Sequence, residues 1–200
     1  MDKFEAIKKK ILHRLRTELP KNLYYHCLAH TEDVLQAAIS ISEKEKVTDD
    51  ELFLIKVAAL FHDTGFLKLH RGHEQHSCEV ARETLPGFGF NHNEIEQVCD
   101  MIMATKLPQN PHNKLAEILC DADLDYLGRD DFFTIGDTLF AEMKDYGFLK
   151  DEKEWNRLQL KFLENHSFFT PTSINTRNAK KLEHLEKIKQ IVASYDKEGN

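Results

Sequence analysis

The chain has 200 residues, of which 41% are hydrophobic and 30% are charged, a composition typical of a globular protein with a sizeable core. Its formal net charge of −7 argues against broad, sequence-independent binding to nucleic acid or to anionic membranes. No apolar run is long enough to span a bilayer, and the charged N-terminus does not resemble a signal peptide. The four cysteines form no close pair, so we expect reduced thiols and no four-cysteine zinc site. These features predict one cytoplasmic domain over residues 1–200.

Apolar residues recur at helical spacing along the whole chain, and no stretch shows the sustained alternation of a strand. The first helical pattern covers residues 4–19 and ends before Pro20. Thr48 and Glu51 have the spacing of a capping box, and the helix that follows them is apolar over most of its circumference, as expected of a central helix. Later helices are predicted at about residues 73–85, 91–105, 115–124, 131–146, 152–167 and 175–195. The sequence therefore predicts an all-α fold.

The central apolar helix leads directly into His62 and Asp63, with Gly65 as a plausible stop signal. Aspartate is rarely buried unless it is paired or bound to a metal ion, so this pair at the end of an apolar helix suggests metal binding. The alternative is a pair at the protein surface that merely ends a helix.

Two further donors lie on other predicted helices. His30 shares an inward face with Val34 and Ile41, and Asp121 lies in the apolar helix at residues 115–124. With His62 and Asp63 they form a set of two imidazoles and two carboxylates. Such a set suits one divalent metal ion (Mn, Fe, Co, Ni, Mg or Zn) with coordination positions left for water or substrate.

The ordered set His30, His62-Asp63 and Asp121 resembles the H…HD…D signature of the HD-superfamily metal-dependent phosphohydrolases. The surrounding residues match as well, in the segments 25–31, 59–65 and 118–124. The resemblance covers residues 23–127 and implies a compact multi-helix HD-domain core, with the helices of residues 128–200 packing on it. It also implies that metal-bound hydroxide hydrolyses a phosphomonoester, phosphodiester or nucleotide, with a small phosphorylated metabolite or nucleotide as the substrate.

The resemblance suggests catalytic roles for Asp63, His26, His73 and Glu74. Asp63 has a spare oxygen that could help to deprotonate the attacking water. His26 resembles the histidine that protonates the leaving oxygen in cyclic-nucleotide phosphodiesterases of this superfamily. Its alternative is a histidine bonded to a nearby backbone carbonyl. His73 and Glu74 are candidates for substrate contact or proton transfer, or else they face solvent at the start of a helix.

Charged residues near these motifs are candidates for secondary roles. Lys68, Arg71 and Lys106 are candidate phosphate contacts because of their charge and their proximity in sequence to the ligands. Asp125 lies four residues after Asp121 and is a candidate for orienting a ligand histidine. Each of these four residues has the alternative of an ordinary solvated charge.

The sequence differs from other branches of the superfamily at positions that argue against their activities. Residues 64–67 lack the acidic pair of the alarmone hydrolases, and Phe66 replaces the lysine of the branch that cleaves cyclic dinucleotides. The second of the extra histidines that build a two-metal centre is replaced by Ala104-Thr105, which favours one metal ion. Two alternatives remain: a non-catalytic metal- and nucleotide-binding regulatory module, and a di-iron oxygenase. The aromatic-rich C-terminal helices are candidates for a lid or for the interface of a homodimer.

Overall fold

A computed structural model describes residues 2–198 of the chain, and their side chains as far as residue 195. Within this range the chain forms helices α1 to α9 and no strand, which confirms the predicted all-α fold. The helices are α1 (Lys3–Glu18), α2 (Leu28–Glu45), α3 (Asp49–Phe61), α4 (His73–Thr84), α5 (His92–Ala104), α6 (Lys114–Asp123), α7 (Phe132–Asp145), α8 (Glu152–Asn165) and α9 (Pro171–Glu198). Short 3₁₀ turns occur at Thr64–Leu67, Leu85–Phe88 and Asp125–Gly128. None of the helices described is both long and apolar enough to cross a membrane.

Side-chain caps determine where α3 and α5 begin. The backbone N–H of Thr48 donates to Glu51 Oε2 at 2.8 Å, and the Glu51 N–H donates to Thr48 Oγ1 at 3.3 Å. Asn91 and Glu94 form the same reciprocal pair, with distances of 2.8 and 3.0 Å. Each capping box satisfies two N–H groups that the first helical turn would otherwise leave without a partner.

By its internal contacts the chain divides into two compact units, Met1–Leu124 and Asp125–Asn200. In the first unit α3 is central, because it packs against α1, α2, α4, α5 and α6. The side chains of residues 57–61 in α3 are fully buried. This burial explains why the sequence of α3 is apolar on nearly every side. The predicted single domain, with the C-terminal helices packed on the core, stays a prediction.

The second unit is built around the turn Asp125–Gly128, which packs against α7 and α9, while α8 packs against α9. His184 of α9 hydrogen-bonds through Nδ1 to the carbonyl oxygen of Leu127 at 3.0 Å. Its ring also stacks on Phe132 of α7, with centroids 4.5 Å apart. A buried histidine on α9 therefore connects the turn and α7 within this unit.

Candidate functional site

The end of α3 presents two adjacent side chains to the same point. His62 keeps helical backbone angles, whereas Asp63 leaves them, with φ −108° and ψ 7°. On a regular helix adjacent side chains point about 100° apart, but this departure lets the two converge. His62 Nε2 lies 3.2 Å from Asp63 Oδ2 as a result. The 3₁₀ turn Thr64–Leu67 follows immediately.

Ser77 of α4 ties this turn to the rest of the unit. Its hydroxyl accepts a hydrogen bond from the Gly65 N–H at 2.8 Å and donates one to the His62 carbonyl at 2.6 Å. Gly65 also packs directly on the first turn of α4, where a Cβ atom would lie only 1.9 Å from the His73 carbonyl oxygen. Only glycine permits so close an approach of the two backbones.

Four donor atoms from three helices converge beside this turn, and all belong to the first unit. His30 Nε2 lies 3.3 Å from His62 Nε2 and 3.4 Å from Asp63 Oδ2. Asp123 Oδ1 lies 3.2 Å from His30 Nε2 and 3.5 Å from His62 Nε2. Donors that share one ion at ~2.0–2.3 Å, with tetrahedral or octahedral angles, are separated by roughly 3–3.5 Å. The observed separations therefore match those of ligands around a single cation.

Two further observations fit a metal ion at this point. Asp63 Oδ2 is buried and accepts no hydrogen bond from the described part of the chain. His62 Nδ1 donates to the Ala59 carbonyl at 2.8 Å, which leaves Nε2 free to act as a ligand. A buried carboxylate oxygen without a hydrogen bond is costly unless a cation compensates for it. The residues present therefore fit a divalent metal ion.

Burial and charge act in opposite directions on these groups. Burial by itself lowers the pKa of His30, but the carboxylates of Asp123 and Asp63 outweigh it and raise the pKa to about 9. Burial raises the pKa of Asp123, but hydrogen bonds from His30 and His62 bring it down to about 2. Burial also raises the pKa of Asp63, but His62 and His30 outweigh this effect and hold the pKa well below its usual range. Cation binding would displace the imidazole protons that these carboxylates favour.

The α6 carboxylate that the structure brings to His30 and His62 is Asp123, whereas Asp121 as the fourth ligand stays a prediction. His30, His62 and Asp123 form a group of described residues that is able to hold a metal ion. Asp121 lies two residues earlier on α6 and is fully buried. Side chains two residues apart on a helix point about 200° apart, so we expect Asp121 and Asp123 to face in different directions. Spacing in the sequence did not separate the two, because both follow apolar residues.

Two of the predicted catalytic residues lie next to the four donors. His73 Nε2 is 3.5 Å from Asp63 Oδ1 and 3.6 Å from Glu74 Oε1. Glu74 is buried, with 8% of its surface exposed. The alternative that both residues face solvent at the start of a helix is therefore wrong for Glu74.

His26 lies outside the helix that carries His30, because α2 begins only at Leu28. Its ring centroid is nevertheless 6.0 Å from that of His30 and 6.0 Å from that of His73. Phe66 contacts both histidines, with its ring centroid 4.1 Å from that of His26 and 4.0 Å from that of His73. Sequence alone marks Phe66 only as a residue in place of a lysine, since no linear pattern reveals these ring contacts.

The predicted phosphate contacts remain predictions. Lys68 and Arg71 are exposed in the loop between the turn Thr64–Leu67 and α4. Lys106 is exposed just after the end of α5.

Asp125 forms an ion pair with an arginine of its own unit. Asp125 belongs to the second unit, where its two carboxylate oxygens accept hydrogen bonds from Arg177 Nε at 2.7 Å and Arg177 Nη2 at 3.2 Å. Arg129 Nη1 adds a contact of 3.5 Å. Both oxygens are thus engaged by a bidentate guanidinium, and the predicted role of Asp125 in orienting a ligand histidine stays a prediction.

Solved structures share this architecture. A predicted HD superfamily hydrolase from an uncultured Thermotogales bacterium is 21% identical, with a TM-score of 0.62 over 94% of this chain and 92% of that one. Bacillus subtilis YpgQ is 19% identical, with a TM-score of 0.67 over 96% of this chain and 97% of YpgQ. The structure of YpgQ in complex with ADP gives 22% identity and a TM-score of 0.61 over 94% and 96% of the two chains. At these identities the likeness concerns the fold.

No curated protein matches the chain significantly. The family model of the HD domain matches residues 27–125, which include all four converging donors. That segment begins next to the first residue of α2 and ends just after α6. The chain is therefore an HD-domain protein, with its HD domain at residues 27–125.

Proposed function

We propose that this protein is a divalent-metal-dependent phosphohydrolase that acts on a small phosphorylated metabolite or nucleotide. The observation that carries the proposal is the convergence of His30, His62, Asp63 and Asp123, with donor separations of 3.2 to 3.5 Å. The HD domain supports the reaction class, because the Thermotogales relative is described as a predicted HD superfamily hydrolase. The complex of YpgQ with ADP supports a nucleotide as the substrate class.

His30, His62, Asp63 and Asp123 would hold a divalent ion, which would polarise a phosphoryl oxygen and make a bound water more acidic. The chain's own residues bind, orient and move protons around it. Asp63 contributes Oδ2 to the donor set, while its Oδ1 lies 3.5 Å from His73 Nε2. His73 is therefore placed to exchange a proton with a group held at Asp63. Glu74, 3.6 Å from the same nitrogen, orients this ring.

The leaving oxygen needs a proton, and His26 is the group we propose to donate it. Its ring is stacked on Phe66 and lies 6.0 Å from His30, so it borders the donor set without joining it. We propose that Lys68, Arg71 and Lys106 contact the phosphate, because this acidic site otherwise repels an anion.

The proposal is tested by metal analysis together with a hydrolysis screen. Purified protein is loaded in turn with Mn²⁺, Co²⁺, Ni²⁺, Mg²⁺, Zn²⁺ or Fe²⁺ and incubated with nucleoside mono-, di- and triphosphates, cyclic nucleotides and sugar phosphates. We expect about one ion per chain and release of phosphate or nucleotide with at least one metal. The matched control is His30→Ala, which should lose both the ion and the activity.

One alternative is a regulatory module that binds a nucleotide without hydrolysing it, and the ADP complex of YpgQ gives it specific support. Tight ADP binding without turnover by any metal-loaded form would favour this module and contradict the phosphohydrolase. Two irons per chain would instead favour the di-iron oxygenase.

A further inference from the structure

The second unit contains a cavity of about 290 Å³, lined by residues of α7, α8 and α9. Its aromatic walls are Phe133 and Phe140 of α7 and Trp155 of α8. The rings of Phe140 and Trp155 are nearly parallel, at 16°, with centroids 5.9 Å apart. Gly136 lines the cavity between them, and a Cβ atom there would lie 3.7 Å from Trp155 Cζ2. Because position 136 carries no side chain, the cavity wall formed by α7 leaves space for a ligand at this point.

Two buried carboxamides supply hydrogen-bonding groups to this cavity. Gln159 Nε2 donates to Asn156 Oδ1 at 3.2 Å, and Asn156 Nδ2 donates to the Tyr195 hydroxyl at 2.7 Å. Both carboxamides are more than nine-tenths buried. The relay leaves Gln159 Oε1 as an acceptor that points towards Gly136, since a Cβ atom on that glycine would lie 3.4 Å from it. The polar part of the cavity thus offers the side-chain carbonyl oxygen of Gln159 as a hydrogen-bond acceptor for a ligand.

The charged residues of the lining are both acidic. Asp137 and Glu152 line the cavity with exposed carboxylates, and its described lining contains no lysine, arginine or histidine. The chain's own Lys187 lies nearby, with Nζ 6.0 Å from the centroid of the Phe133 ring, but it does not line the cavity. Phosphates and carboxylates are therefore repelled, and a positively charged ligand is attracted.

We propose that this cavity is a binding site for a small organic cation, such as an alkylated ammonium. Aromatic faces attract such cations through their ring quadrupoles, and this attraction is strongest for tryptophan. The two carboxylates add charge complementarity, and the Gln159 carbonyl accepts a hydrogen bond from an N–H or O–H of the ligand. The volume is close to the lower end of the range of roughly 300–1,000 Å³ typical of small-molecule sites, which limits the ligand to a few heavy atoms beyond the cationic head.

Trp155 makes occupancy directly measurable, because it is the sole tryptophan in the sequence. The full-length protein is titrated with choline and, separately, with 3,3-dimethyl-1-butanol, which has the same shape with carbon in place of the charged nitrogen. We expect a saturable change in tryptophan fluorescence with choline, and binding of the neutral alcohol weaker by roughly fivefold or more. No saturable change up to about 50 mM choline, or equal binding of the two compounds, overturns the proposal.

A second experiment substitutes exposed residues of the cavity lining, whose replacement should leave the fold intact. The double variant Asp137→Asn with Glu152→Gln should weaken choline binding by roughly fivefold and leave binding of the neutral alcohol unchanged. Glu164→Gln is the matched control, because Glu164 is also exposed on α8 but does not line the cavity. Undiminished choline affinity in the double variant, or an equal loss in the control, contradicts a site built on these two carboxylates. The readout requires neither metal nor phosphate hydrolysis, so it is independent of the function proposed above.

Discussion

The Nε2 atoms of His30 and His62 face each other at 3.3 Å, although the two residues lie 32 positions apart in the chain. Without a bound cation, two neutral imidazoles can occupy this arrangement only if one donates a hydrogen bond to the other. The nearby oxygens of Asp63 and Asp123 favour positive charge at the same point. A divalent cation satisfies all four atoms together, which is why this contact is the basis of the predictions on metal binding.

The two aspartates of α6 should respond very differently to substitution. We expect Asp123→Asn to weaken divalent-metal affinity by at least about 100-fold, because it removes a charged ligand from the donor set. Asp121→Asn should retain the metal within a few-fold, since its side chain points away from His30. Metal content is measured by elemental analysis after dialysis. The reverse pattern would restore Asp121 as the ligand that the sequence analysis predicted.

Phe66→Leu should lower the turnover number by about tenfold or more while the metal content stays unchanged. The reason is that the Phe66 ring packs against both His26 and His73, with centroid distances of 4.1 and 4.0 Å, and so fixes their positions. The experiment compares kcat and metal content with those of Phe53→Leu, in which a ring stacked on Phe90 in the same unit is removed. Equal activity of the two variants would show that the ring stack does not position the histidines.

Ser77→Ala should lower the free energy of unfolding by about 1–3 kcal/mol, because the buried Gly65 N–H loses its acceptor. The matched control is Ser40→Ala on the exposed face of α2, which should leave stability nearly unchanged. Urea denaturation of both variants in the metal-free state gives the comparison. If Ser77→Ala is as stable as the control, the hydroxyl does not hold the turn after α3.

Asp125→Asn should reduce stability by about 2 kcal/mol through loss of the bidentate bond to Arg177, yet leave metal content unchanged. Asp130→Asn removes the partner of Lys180 at an exposed position and should have little effect on the unfolding midpoint. Denaturation and elemental analysis together decide between the two roles considered for Asp125. Loss of the metal in Asp125→Asn would reinstate its support of a ligand histidine.

The helices of the first unit could be predicted because their signals are local. The capping box of Thr48 and Glu51 and the apolar circumference of α3 are visible in a few consecutive residues. His62 and Asp63 stood out for the same reason, since a polar pair after an apolar helix is conspicuous in sequence. The structure places both of them in the converging donor set.

The remaining features depend on contacts that sequence does not display. Whether Asp121 or Asp123 faces His30 depends on how α6 is rotated about its axis against α2. The apolar pattern of the sequence does not fix this rotation closely enough to distinguish the two residues. The contact of the Phe66 ring with two histidines requires three separate segments to meet. The pairing of Asp125 with Arg177 spans 52 positions and gives no local signal.

The close approach of Gly65 to the His73 carbonyl has a consequence for how this site can vary. Because a single methyl group at position 65 would collide with the backbone of α4, any larger residue must push the first turn of that helix outwards. His73 and Glu74 would move with it, away from Asp63. The absence of a Cβ atom at position 65 thus couples the placement of His73 and Glu74 to that of the four converging donors.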